Sequence, residues 1–247
     1  MADIKEETLS SVATIEAPSE EIQVQTGVSV EERVHIRVKG GKAYAFFKRA
    51  FDIFASLIAI LILAFPMLII GIIVKCSSKG PILFKDSRIG QNGKNIVVYK
   101  FRSMYQDAEA RLQEYLTEEQ YNQWLVERKI DNDPRITKIG KFIRKTSIDE
   151  LPQLFNIFKG DMSFVGPRPI TKLELEHNFT EYEASVFTSA KPGLTGYWQV
   201  CGRSDVTYEN GERQKLELDY FTKRGFWFDI GIIFRTIPAV LKSKGAK

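Results

Sequence analysis

The sequence predicts an α-rich α/β protein of the monotopic membrane type. One re-entrant membrane helix, broken at Pro66, precedes a water-facing domain with amphipathic helices at the interface. Three observations carry this. Residues Ile53 to Val74 form a run of 22 residues without a charge, long enough for a hydrocarbon core of about 30 Å. Basic residues flank that run on both sides, Lys42, Lys48 and Arg49 before it and Lys75 and Lys79 after it. Beyond Gly80, strand-like alternation gives way to helical periodicity.

Three regions follow: residues 1–41, 42–79 and 80–247. Residues 1–32 hold eight Asp/Glu against Lys5 alone, with few large apolar side chains, too little apolar surface to offset the entropy of ordering. A disordered acidic tail is expected there. Its charge of −7 leaves +11 on the rest of a chain whose total is +4, which favours anionic partners. Val34, Ile36 and Val38 alternate with polar residues before Gly40-Gly41 and suggest a short strand.

The apolar run starts too late and is too long for a signal peptide. A buried core helix is the alternative, and a kinked spanning helix is another. Pro66 removes a backbone donor and clashes with the preceding turn. Basic residues on both flanks lack the asymmetry of an ordinary span. Together these favour a hairpin that dips into one leaflet and returns, with both ends cytosolic.

After Gly80 the chain reads as two strands, Ile82–Lys85 and Asn95–Phe101, around Asn92-Gly93. Residues 107–129 read as a polar helix, a helix starts near Ser147, and another includes Glu181–Phe187. The segment FWFDIGIIFRTIPAVLKSK is an apolar helix suited to a membrane surface.

Cys76 and Cys201 are far apart, and His35 and His177 are isolated. Neither a disulfide framework nor a zinc site nor a Ser-His-Asp relay is indicated. Carboxylates must then carry any chemistry. From Arg144 to Pro169 the chain reads RKTSIDELPQLFNIFKGDMSFVGPRP. Ser147 followed by Glu150 has capping-box spacing, which puts Asp149 and Glu150 in a first helical turn. A helix N-terminus would lower the Asp149 pKa, keep it ionised as a nucleophile, and receive phosphate oxygens. Arg144 and Arg168, the latter between two prolines, supply the forked donors a pyrophosphate needs.

KRAFD (Lys48–Asp52), YKFRSM (Tyr99–Met104), the segment just quoted and KPGLTGYWQVCGRSD (Lys191–Asp205) together resemble the bacterial sugar transferase family, the monotopic phosphoglycosyl transferases, over about residues 44–242. The resemblance implies transfer of a hexose 1-phosphate from a UDP-sugar to undecaprenyl phosphate with release of UMP. It places that reaction on the cytosolic face of a bacterial inner membrane, at the first membrane step of exopolysaccharide, capsule or O-antigen synthesis. It makes Asp149 the covalent nucleophile and Asp149 and Glu150 the ligands of Mg2+. It sets Arg144, Arg168 and Lys100 on phosphate and gives Asp229, or Asp219, a further role near substrate. It also implies the helix break at Pro66, although Phe65 stands where the family often has serine.

GYWQVCGRSD is expected near the donor. A membrane-anchored adaptor that binds anionic headgroups is the competing reading, but an adaptor needs no paired carboxylate among arginines. Nucleic acid is not expected, because aromatics do not interleave with Lys and Arg. The residues leave the sugar and a homo-oligomer open.

Overall fold

A computed structural model of the chain describes residues 36–108, 112–121, 133–202, 206–208 and 210–241. Residues 1–35, and with them almost all of the expected tail, lie outside these. The expected strand before Gly40 does not form over 36–38. Ile36 N instead donates to Tyr182 Oη at 2.8 Å and Lys39 N to Phe221 O at 2.9 Å, so the segment is bonded to helical neighbours and meets no strand edge.

Helix α1 covers Lys42–Ser77, 36 residues, about 54 Å at 1.5 Å per residue. Only 17% of its most apolar window is buried, and Phe54, Ile58, Leu61, Ile62, Phe65 and Leu68 are exposed. That excludes a core helix. The expected break at Pro66 is not an interruption, because helical backbone continues through it to Ser77. Proline removes one backbone bond there, and the turns on either side carry the helix on.

Both ends of α1 are tied to the domain that follows. Near its start, Arg49 donates to Ile157 O at 2.7 Å and Phe158 O at 2.8 Å, and Asp52 accepts from Ser163 Oγ and Phe164 N, each at 3.1 Å. At its end, Arg102 Nη2 donates to Val74 O at 3.0 Å and Ser78 O at 2.7 Å. Met67 and Val74 pack with Phe101 and Ile143.

Strands β1 (Leu83–Ile89) and β2 (Asn95–Phe101) form an antiparallel hairpin with Phe84 opposite Lys100 and Asp86 opposite Val98. The turn puts Asn92 at φ 58° and Gly93 at φ 73°, the left-handed conformations that Asn-Gly accepts. β1 runs past Lys85 because Asp86 and Arg88 continue its alternation with charges. Of the expected helix over 107–129, residues 109–111 and 122–129 lie outside the described residues, and the rest is divided at Thr117. It forms α2 (Leu112–Tyr115) and resumes at 118–121, since Thr117 and Gln120 bond each other's backbone N–H and start a new turn.

Next come α3 (Lys138–Lys145), a 3-10 turn at Ile148–Glu150 and α4 (Gln153–Lys159). Asn156 of α4 is fully buried, donating to Val97 O at 2.6 Å and accepting from Tyr99 N at 3.0 Å, which fixes α4 to the free edge of β2. Two short strands, β3 (Ser163–Val165) and β4 (Gly193–Thr195), pair in parallel. Between them lie α5 (Lys172–Asn178) and α6 (Glu181–Phe187), each opened by a capping box. Then follow α7 (Tyr197–Cys201), α8 (Glu212–Lys223) and α9 (Phe226–Leu241). Val165, Ile170, Phe187, Tyr220, Phe221 and Ile232 form the main core beneath β3.

Candidate active site

Charged side chains converge where the hairpin meets α3 and the 3-10 turn. Thr137 caps α3, its Oγ1 accepting from Gly140 N at 2.9 Å, and its own N–H donates to Ser103 O at 3.0 Å. Gly140 approaches Ser103 so closely that a Cβ would stand 1.8 Å from Ser103 O. One turn later Arg144 Nε donates to Ser103 Oγ at 2.8 Å.

Asp149 and Glu150 lie in the 3-10 turn, which Ser147 enters at φ 56° without capping it. The capping-box expectation is corrected here, because an N-cap needs extended backbone and Ser147 is left-handed. α4 begins only after Pro152, so the dyad precedes the helix. The sign of the expected pKa shift is corrected too. Asp149 is pushed up to about 6, first by burial and then by the Glu150 charge, against the pull of Lys100 and Arg144. Burial disfavours the charged form more than the two cations favour it.

Lys100 Nζ also meets Asp86 at 3.3 Å. Asp86 accepts from Arg88 at 2.8 Å, and Arg88 pairs with Glu174 at 3.1 Å. The Glu174 carboxyl, held below its usual range by Thr171 and Arg88 despite burial, also feels Arg168. Arg168 thus joins the dyad through this row of alternating charges, without direct contact. Its backbone N–H donates to both oxygens of Glu217 at 3.4 Å, and its guanidinium lies 5.8 Å from the Trp198 ring.

Asp229 stands elsewhere. It is 6% exposed, pairs with Lys48, and accepts from Tyr44 at 2.8 Å and Tyr220 at 3.1 Å, so its contacts pin α1 to α8 and α9. Asp219 pairs with Lys223 at 3.0 Å on the surface of α8. Pro66 lies in α1, and Arg203 to Asp205 of the GYWQVCGRSD segment lie outside the described residues.

The family described as bacterial sugar transferase matches residues 43–243. The chain belongs to that family. It is 45% identical over 203 residues to an undecaprenyl-phosphate galactose phosphotransferase of Salmonella typhimurium, covering 81% of this chain and 42% of that one. It is 40% identical over 218 residues to the exopolysaccharide production protein ExoY of Rhizobium meliloti, covering 87% and 93%. It is 38% identical over 203 residues to a UDP-glucose:undecaprenyl-phosphate glucose-1-phosphate transferase of Escherichia coli, covering 81% and 41%. The chain therefore spans less than half of the Salmonella and Escherichia relatives and nearly all of the Rhizobium one.

In this sugar transferase, sequence reasoning missed Asp86, Arg88, Ser103, Glu174 and Glu217. Two signals were present. Phe84, Asp86 and Arg88 occur at the two-residue period of one strand face, and Thr171 and Glu174 have capping-box spacing. Among the described residues no three His, Cys, Asp or Glu side chains group as a metal site.

Proposed function

We propose that this chain is a phosphoglycosyl transferase that moves a hexose 1-phosphate from a UDP-sugar to undecaprenyl phosphate and releases UMP. The observation that carries the reading is Asp149 beside Glu150, under the electrostatic pull of Lys100 and Arg144, in a chain of this family with a long exposed apolar helix. The names of the Salmonella and Escherichia relatives support the lipid phosphate as acceptor.

An oxygen of Asp149 attacks the β-phosphorus, the bond from that phosphorus to the bridging oxygen breaks, and UMP leaves with the bridging oxygen. The sugar phosphate is held as an acyl phosphate on Asp149. An oxygen of the lipid phosphate then attacks the same phosphorus and frees the carboxylate. Neither displacement requires a proton transfer. A carboxylate with a pKa of about 6 is mostly ionised at neutral pH and more basic than an ordinary aspartate, which favours nucleophilic attack. Arg144 and Arg168 bind phosphate oxygens, and Lys100 offsets the charge gathered on the transferred group.

Mg2+ fits this site, because Asp149 and Glu150 are adjacent carboxylates whose repulsion adds to burial in raising Asp149. Mg2+ is held by one or two carboxylates and completed by phosphate oxygens and water. Asp149 and Glu150 would hold it, and when bound it polarises the phosphoryl group.

The reaction belongs to the start of exopolysaccharide, capsule or O-antigen assembly, in keeping with the name of the Rhizobium relative. α1 enters and leaves one leaflet of the inner membrane by bending at Pro66 without loss of helical backbone, with the domain on the cytosolic face. The contacts of Arg49 and Asp52 at one end and of Arg102 at the other with a single domain support this.

The deciding experiment offers a panel of UDP-sugars with undecaprenyl phosphate and Mg2+ and measures UMP. Release with at least one sugar is expected. Without lipid, the peptide containing Asp149 should gain one sugar phosphate in mass. Absence of UMP with every donor would overturn the reading.

A further inference from the structure

We infer that Arg213 is a second anion-binding guanidinium beside Arg168, the two mounted on Trp198 to grip the diphosphate of the donor. The inference rests on the reading of the donor as a nucleoside diphosphate sugar. Arg213 Cζ lies 4.2 Å from the ring of Trp198 and 4.2 Å from that of Tyr208, and Arg168 Cζ lies 5.8 Å from the same indole. Three separate stretches of chain, the Pro-Arg-Pro segment after β3, α7 and α8, bring two like charges onto one aromatic platform. Their mutual repulsion adds to burial in lowering the Arg213 pKa.

Neither guanidinium has an ion pair or a side-chain hydrogen bond among the described residues. The neighbouring carboxylates Glu174 and Glu217 attract both arginines, but neither forms an ion pair with them among the described residues. Glu174 is committed to Arg88 at 3.1 Å and to its capping box. Glu217 is 1% exposed and reaches Arg168 only through the backbone N–H, at 3.4 Å. Trp198 is itself 8% exposed, yet among the described residues its Nε1 has no partner, and the same holds for Arg213 Nε and Tyr208 Oη.

Buried donors without acceptors are costly, and native structures pair almost all of them. Stacking accounts for the faces of the guanidiniums, since a cation over a ring uses the π surface. It leaves the edge N–H groups in plane, where the oxygens of a phosphate lie in a forked pair. One arginine grips one phosphate, and a diphosphate presents two. Two rings, each 4.2 Å from Arg213 Cζ, restrict its rotamers and so reduce the entropy lost on binding.

The test uses the full-length protein in detergent with a chelator present, so that no metal bridges the ligand. Calorimetry measures the affinity for UDP, inorganic pyrophosphate and uridine. Arg213→Gln should weaken UDP and pyrophosphate by about tenfold or more, the loss of a charge-assisted contact, and leave uridine within twofold. Arg168→Gln should behave alike. Arg213→Lys should fall between the glutamine variant and the native chain, and serves also if Arg213→Gln unfolds. UDP affinity within twofold of native for both Arg213 variants overturns the clamp, as does a native protein that binds neither UDP nor pyrophosphate. A native protein that binds pyrophosphate through Arg213 but releases no UMP from any UDP-sugar leaves the clamp standing and removes the proposed function.

Discussion

Asp149→Asn keeps the shape of the side chain and removes the charge that the first displacement needs, so turnover should fall by several orders of magnitude with little change in melting temperature. UMP release by the purified variant near the native rate would refute covalent catalysis at this residue. Without metal Asp149 should titrate near 6, the value to which burial and Glu150 raise it, and Mg2+ on the dyad should lower that value. The rate with Mg2+ should therefore begin to fall only below pH 6, because only the ionised carboxylate attacks. Glu217 gives a stability prediction of its own. Burial pushes it up to about 7 from 4.5, so folding favours its protonated form. The resulting penalty is absent below pH 4.5, grows as pH rises, and is complete above 7. Glu217→Gln should therefore stabilise the protein at pH 8 by up to about 3.5 kcal/mol, at about 1.4 kcal/mol for each pH unit between 4.5 and 7, with no gain at pH 4. A gain independent of pH would show that the penalty is not electrostatic. The dyad and its cations were legible because they crowd one segment and one strand. The Ser147 cap was misread because spacing does not report φ, and Arg213 was invisible because its platform, Trp198, joins it only through tertiary packing.

At the scale of elements, two glycines separate close packing from propensity. Gly140 has no room for a Cβ, which would meet Ser103 O at 1.8 Å, whereas Gly231 in α9 meets nothing within 4 Å. Gly231→Ala should stabilise by up to about 1 kcal/mol, or about 2–4 °C for a domain of this size. Gly140→Ala gains the same propensity but forces α3 off the hairpin, a net cost of about 1–3 kcal/mol. It should also lower turnover beyond its effect on stability, since α3 carries Arg144 to Ser103. Equal melting temperatures for the two variants would contradict this packing account. The hairpin, α6 and α9 were legible from alternation and periodicity. β3 and β4 were not, because three-residue strands carry no pattern and their pairing joins residues that are distant in sequence. The second half of β1 was hidden because its charged face serves the site.

Over the whole molecule, the question that decides the architecture is on which side of the bilayer the two ends of α1 lie. Arg49 and Asp52 are bonded to residues 157, 158, 163 and 164, while Val74 and Ser78 are bonded to Arg102. Residues 49 and 74 are separated by about 38 Å of helix at 1.5 Å per residue. If α1 spanned, those two sets of contacts would stand on opposite faces of a hydrocarbon core about 30 Å thick, and the domain's loops and hairpin would have to cross it. Lipid does not admit such exposed irregular backbone. A spanning helix would also set Arg33, Arg37, Lys42, Lys48 and Arg49 outside, against the positive-inside bias. The prediction is that both ends are cytosolic. In intact cells carrying a chain with Cys76 and Cys201 replaced by serine, Ser10→Cys and Lys79→Cys should each resist an impermeant maleimide and react only after lysis. Labelling of Ser10→Cys before lysis, with Lys79→Cys still protected, would show a spanning helix and require the contacts at Arg49 and Asp52 to be absent in the membrane.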